Sequence, residues 1–196
     1  MNVSTPVMRR RRARIAASLV PLAALVACGG APAGSSGGAA DGPVPTTRFS
    51  ENGVTVTLSV SDWQASKGSV TGTLTAVFTP ETQGFHLYST DLPPTGIEGV
   101  GRPTTVGVTG VLGAQGGLRT GAEVRSITVP GVDAPVPVYP DGPVTTTLPV
   151  RATGSGEATV LLGYASCSTR DGCTIPVSDR PVHLRVTEDG PTFVTP

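Results

Sequence analysis

Apolar and polar residues alternate along most of the chain. Val54, Val56, Leu58 and Val60 are interleaved with Thr55, Thr57 and Ser59, and that run ends at Asp62-Trp63. Val70, Leu74, Ala76 and Phe78 alternate with Thr71, Thr73, Thr75 and Thr79. Val144, Thr146, Leu148 and Val150 share a face, as do Val182, Leu184 and Val186. A period of two puts successive side chains on opposite faces, so such runs describe half-buried strands. The alternation predicts strands at about 53–61, 69–79, 84–89, 104–110, 123–129, 144–151, 157–165 and 181–187, with a weaker one near 173–177. No window carries a helical stripe. Gly113 to Gly121 reads as a loop, and Pro130 to Pro143, with five prolines, as a long irregular connection. A connection of that length in a compact domain is often functional. The 26 glycines and 19 prolines fall mostly between the runs, where turns need them. Short strands so punctuated predict an all-β fold, an immunoglobulin-like antiparallel β-sandwich.

The first residues follow a different rule. Arg9, Arg10, Arg11, Arg12 and Arg14 form a basic block, followed by an apolar run from Ile15 to Ala27. That run is shorter than the roughly 20 residues a helix needs to cross a bilayer. A charged segment, a short apolar one and small residues at the junction describe a signal peptide over residues 1–27. Leu25-Val26-Ala27-Cys28 resembles the bacterial lipobox, which implies lipid on Cys28 as the mature N-terminus. Several acyl chains on one residue anchor durably where a single chain binds only marginally. Residues 28–46, rich in glycine, alanine, serine and proline, read as a flexible tether. Such a tether would hold the domain, residues 47–196, some 20–25 Å from the membrane. The expected location is therefore the cell envelope, on the extracytoplasmic face of a membrane.

Cleavage would also change the charge. The chain has 14 basic and 14 acidic side chains, and five of the arginines lie in the signal. The remainder carries 14 − 5 = 9 basic against 14 acidic groups, a net charge near −5. Lys67 is the only lysine and no basic patch survives, which argues against nucleic acid as a partner.

With Cys28 assigned to lipid, Cys167 and Cys173 remain. An oxidising compartment and an even count make a disulfide the expected state. Asp171-Gly172 is a turn signal, so a hairpin-like return after the strand from Ala158 to Ala165 can bring the sulfurs together. That bridge can be a staple or a redox pair, and the residues alone leave both open. Arg170 between the cysteines favours a thiolate while Asp171 opposes it. No metal is expected: two cysteines lack a second pair at ligand spacing, and His86 and His183 read as strand residues. No nucleophile elbow or His–acid pairing points to a hydrolase.

The stretch Tyr164 to Pro176 resembles the active-site segment of the amino-terminal domain of the thiol:disulfide interchange protein DsbD family. The elements are an aromatic strand end at Tyr164, then Cys167, Gly172, Cys173 and Pro176. Gly84-Phe85-His86-Leu87-Tyr88 is similar to the family's glycine-aromatic-x-Leu-Tyr strand, which lies beside the cysteines. Gly101-Arg102-Pro103-Thr104, Tyr139-Pro140-Asp141 and Leu148-Pro149-Val150 match further family segments, and the resemblance covers roughly residues 50–187. It implies the same immunoglobulin-like fold, and a thiol–disulfide exchange module that needs no cofactor. Cys167 and Cys173 would be the catalytic pair, with Cys173 entering the mixed disulfide, Cys167 resolving it, and Phe85, Tyr88 and Tyr164 flanking them. Partners would be a separate membrane thiol-electron transporter or thioredoxin-like protein, and exported disulfide-containing proteins. The family covers its disulfide with a loop bearing an aromatic; here that stretch, about Val129 to Val138, offers valine and proline. The alternative reading is a non-catalytic immunoglobulin-like binding or structural lipoprotein with a stapling disulfide.

Overall fold

The computed structural model describes residues 43–66 and 69–194, among which there is no helix. The expected signal peptide, Cys28 and most of the tether lie outside these residues. In chain order the first strands are β1 (Thr46–Glu51), β2 (Val54–Ser66), β3 (Ser69–Pro80), β4 (His86–Leu87) and β5 (Thr105–Gly110). Next come β6 (Leu112–Ala114), β7 (Arg119–Thr120), β8 (Arg125–Ile127), β9 (Val136–Val138) and β10 (Val144–Ala152). The last are β11 (Gly156–Tyr164), β12 (Ser166–Ser168), β13 (Gly172–Cys173), β14 (Val177–Thr187) and β15 (Gly190–Phe193).

The pairings make two main sheets. One runs β1-β2-β3-β10-β6, with β7 also paired to β10; the other runs β15-β14-β11-β5, and every pair is antiparallel. Each sheet has one apolar face because its strands alternate. In β10, Val144, Thr146, Leu148, Val150 and Ala152 are buried while Thr145 and Arg151 are exposed. In β14, Val182, Leu184 and Val186 are buried between exposed neighbours. The two apolar faces meet in one core, built from Val56, Leu58, Leu74 and Phe78 on one side and Val160, Leu162, Tyr164 and Leu184 on the other. Phe78 and Tyr164 join the sheets edge to face, with ring centroids 5.5 Å apart. The fold is thus an antiparallel β-sandwich of immunoglobulin-like kind, as the alternation predicts.

Several elements differ from expectation. β2 does not end at Asp62-Trp63 but continues through a bulge between Ser61 and Gln64, where Asp62 takes a positive φ of 53°. Gly72 faces that bulge, and a Cβ there would sit 2.6 Å from Trp63 Cε3, so the indole needs the missing side chain. The stretch read as a loop from Gly113 holds β6 and β7, both held by the edge of β10. The proline-rich connection holds β9, which pairs with β8 as a small two-stranded ribbon. Among the described residues the first strand begins at Thr46, which pairs with Ser59.

Two small sheets complete the fold. β13-β12-β4 forms a three-stranded sheet continuing from the end of β11, and the β8–β9 ribbon touches it through a bridge between Tyr88 and Val138. A second apolar core lies here, made of Tyr88, Leu92, Val136, Val138, Ala165 and Cys167, with Ile97, Ile127, Val129 and Val132 packed against it.

Candidate functional site

Cys167 and Cys173 are bonded to each other and sit directly opposite in the β12–β13 pairing, with Cα atoms 4.0 Å apart. The turn between them is held locally. Ser168 Oγ accepts from the backbone N–H of Arg170 and Asp171 and donates to Asp171 Oδ2 at 3.0 Å. Gly172 takes a φ of 82°, a conformation that favours glycine, and the chain reverses there. Asp171 is therefore a turn-holding side chain. The Thr174 N–H donates to the Ser166 carbonyl at 2.8 Å and extends the hairpin past the cysteines.

The two sulfur-bearing residues differ in access. Cys167 is 3% exposed within the second core, whereas Cys173 is exposed. The Tyr88 hydroxyl donates to Cys167 Sγ at 3.0 Å and lies 3.7 Å from Cys173 Sγ. Burial raises the Tyr88 pKa above the ordinary phenol value, so the hydroxyl keeps its proton and remains a donor. Thr104 fixes the strand behind it by donating Oγ1 to the Tyr88 carbonyl at 2.7 Å.

A hollow of about 210 Å³ opens beside the bridge, lined by His86, Tyr88, Val100, the 127–130 segment and both cysteines. Ile127, Val129 and Pro130 give it an aliphatic wall. Gly101 packs closely against the Tyr88 ring. It has a φ of 83°, and a Cβ there would lie 2.6 Å from Tyr88 Cε1 and 2.9 Å from Leu92 Cδ2. Gly101→Ala is expected to lower stability by more than the roughly 1–2 kcal/mol that the left-handed backbone costs alone. It also pushes the Tyr88 ring off the sulfur. A melting curve and the tyrosine near-ultraviolet dichroism check this; an unchanged pair of signals would contradict it.

Of the expected flanking residues, the structure brings only Tyr88 to the cysteines. Phe85 does not line the hollow. Tyr164 lies in the main core, where its hydroxyl donates to the Glu51 carbonyl at 3.2 Å. Its pKa is pushed up to about 12, chiefly by burial and then by the Glu51 charge. Strand parity explains both placements. Ala165 and Cys167 face the second core, so Tyr164 faces the first; Leu87 also faces the first, so His86 and Tyr88 share the cysteine side.

Sequence reading missed His86. It is buried, stands opposite Cys167 in the β4–β12 pairing and packs edge-on against Tyr88, with centroids 6.0 Å apart. Its Nδ1 lies 3.9 Å from Asp141 Oδ1, and its Nε2 has no hydrogen-bond partner. The signal that would have found it is its position two residues before Tyr88 on one strand. His183 is elsewhere, its Nδ1 3.2 Å from Thr159 Oγ1 on the sandwich surface. Among the described residues no three His, Cys, Asp or Glu side chains come together to hold a metal ion.

No protein-family model and no curated protein matches the sequence. Among solved structures, the amino-terminal domain of Neisseria meningitidis DsbD in its reduced form is similar in backbone, with a TM-score of 0.39. The two share 14% identity over 62% of this chain and 82% of that one.

Proposed function

We propose that the chain is a thiol–disulfide exchange module, anchored through lipid on Cys28 to the extracytoplasmic face of a membrane. It passes electrons between a membrane thiol transporter or thioredoxin-like protein and exported proteins that carry disulfides. The observation that carries this reading is the asymmetry of the bridge, with Cys173 exposed and Cys167 buried beneath the Tyr88 hydroxyl. Exchange needs one sulfur that an incoming thiolate can reach and another that can leave with its electron pair. Cys173 suits the first role, so the mixed disulfide forms there. Cys167 suits the second, because the Tyr88 O–H already donates to its sulfur. The aliphatic hollow would receive an apolar side chain next to the partner's cysteine. The electrons travel in the sulfurs, and no cofactor is required.

The test is the reduction potential of the Cys167–Cys173 pair in the full chain, by redox titration with thiol trapping. A potential well above about −300 mV, with fast exchange, is expected for a bridge built for transfer. The anchor is checked by the mass of the mature N-terminus; a first residue other than acylated Cys28 would remove that part of the proposal.

The second reading is an immunoglobulin-like binding or structural lipoprotein whose bridge is a staple. It is favoured by Cys167 being part of the second apolar core. A potential below about −300 mV, with a large fall in melting temperature on reduction, would select it.

A further inference from the structure

Across the three-stranded sheet Cys173 stands opposite Cys167, and Cys167 stands opposite His86. Directly opposed residues in antiparallel strands put their side chains on one face, with Cβ atoms about 4.5–5.5 Å apart. The rung therefore reads Cys173, Cys167, His86, and all three line the same hollow. The His86 Nε2 is buried without a partner, which carries a desolvation cost. A phenyl ring would make the same edge contact with Tyr88 and avoid that cost. The imidazole thus does something that packing does not require.

We propose that His86 takes part in the exchange reaction, its imidazole sharing a proton with Cys167 Sγ when the bridge opens. This rests on the exchange reading above. A dithiol reductant supplies two electrons. One of its thiols loses a proton to solvent and attacks Cys173 Sγ; a sulfur–sulfur bond forms there. The Cys173–Cys167 bond breaks, and its electron pair leaves on Cys167 Sγ. His86 takes up one proton from solvent, so Cys167 departs as a thiolate beside an imidazolium, or equally as a thiol beside a neutral ring. The reductant's second thiol then gives up its proton and attacks its own sulfur in the mixed disulfide, releasing Cys173, which takes a proton in turn. The reductant ends as a disulfide, and the protein pair ends with two electrons and two protons.

The groups facing His86 decide whether it can do this. They are Tyr88 from the same chain segment, Cys167 from β12, Cys173 from β13, and Asp141 from the connection after β9. Arg170, in the β12–β13 turn, lines an adjoining recess with Asp141 and Gly84. Burial lowers the His86 pKa below the ordinary histidine value, and the Asp141 charge pulls it part of the way back. With the bridge closed the ring is neutral at neutral pH and able to accept a proton. A thiolate formed on Cys167 adds a second negative group and draws that proton in.

The test titrates Cys167 in the reduced full chain, by pH-dependent alkylation read separately at each cysteine. It sets this beside the pH profile of bridge opening by dithiothreitol. His86→Gln is expected to raise the Cys167 pKa by about one unit, leaving roughly tenfold less thiolate at a given pH below it. It should also remove one inflection from the opening profile. Asp141→Asn keeps the ring and, at a residue 62% exposed, keeps the fold; removing its charge should move that inflection to lower pH. Superimposable Cys167 titrations in wild type and His86→Gln would overturn the proposal, as would an inflection unmoved by Asp141→Asn. A bridge that resists dithiothreitol in every variant, while the Cys167 titration still follows His86, would fail the exchange reading and leave the proton pairing standing.

Discussion

Cys173→Ser is expected to reduce thiol transfer to the uncatalysed background, whereas Cys167→Ser leaves a chain that reacts once and stops. The difference follows from access. In Cys167→Ser the remaining sulfur belongs to the exposed residue of the pair, and it still attacks an acceptor's disulfide. Resolving the resulting mixed disulfide needs the second sulfur, so the adduct accumulates and is seen on a non-reducing gel. In Cys173→Ser the remaining residue is 3% exposed and packed in the second core, so little adduct forms. Both variants lose the bridge. The cysteines are six apart in sequence, so the closed loop holds seven residues, and opening it costs about 2–2.5 kcal/mol by the chain-entropy relation. Unequal adducts mark an exchange pair with assigned roles. Equal adducts, or none from either variant, would sink the assignment.

Phe78→Ala is expected to destabilise the fold by about 3–5 kcal/mol. Phe78 is fully buried in β3, with Val56 of β2 and Val144 of β10 opposite it in register. It also meets Tyr164 of the other sheet edge to face. Truncation therefore removes this contact between the sheets and opens a cavity between two hydrogen-bonded ladders. Such ladders relax only partially, and the cost tracks how far a site can collapse. A denaturation curve should show a lower midpoint with an unchanged slope, the sign of lost stability rather than a changed unfolded state. A loss under about 1 kcal/mol would mean that the sheets close over the gap.

Strands that cover the main core were legible because each repeats its own evidence. β2, β3, β10 and β11 alternate over many residues, with apolar side chains on the inner face. The edge strands were not. β1 and β15 each carry a single large apolar residue, Phe49 and Phe193, packed against the rim of the main core. One residue makes no pattern. β9 was hidden by Pro135, Pro137 and Pro140, which read as loop signals. Proline is tolerated there because Pro137 joins the neighbouring strand through its carbonyl, which accepts from the Ser89 N–H at 3.1 Å and asks for no donor at that position.

The site divides in the same way. The cysteine pair was legible from composition, spacing and the Asp171-Gly172 turn, because a short hairpin is a local structure. Tyr88 was found through its resemblance to a family strand, but Phe85 and Tyr164 were chosen over His86. A shift of one residue turns every side chain of a strand to its other face. In β4, with only two residues, local alternation is too short to show which face is which.

What the chain settles by itself, then, is its long core strands, its all-β class and the closing of the Cys167–Cys173 loop. All of these rest on a period of two or on neighbours within a turn. Only tertiary structure decides that the strand end at Tyr164 turns from one core to another, and that His86 rather than Phe85 meets the bridge. It likewise brings Ile127, Val129 and Pro130 to the wall of the hollow. Those outcomes depend on partners far along the chain: Tyr88 and Cys167, joined by one hydrogen bond, are 79 residues apart. The face that a strand buries is set by what packs on it, and that is a property of the assembled sheets.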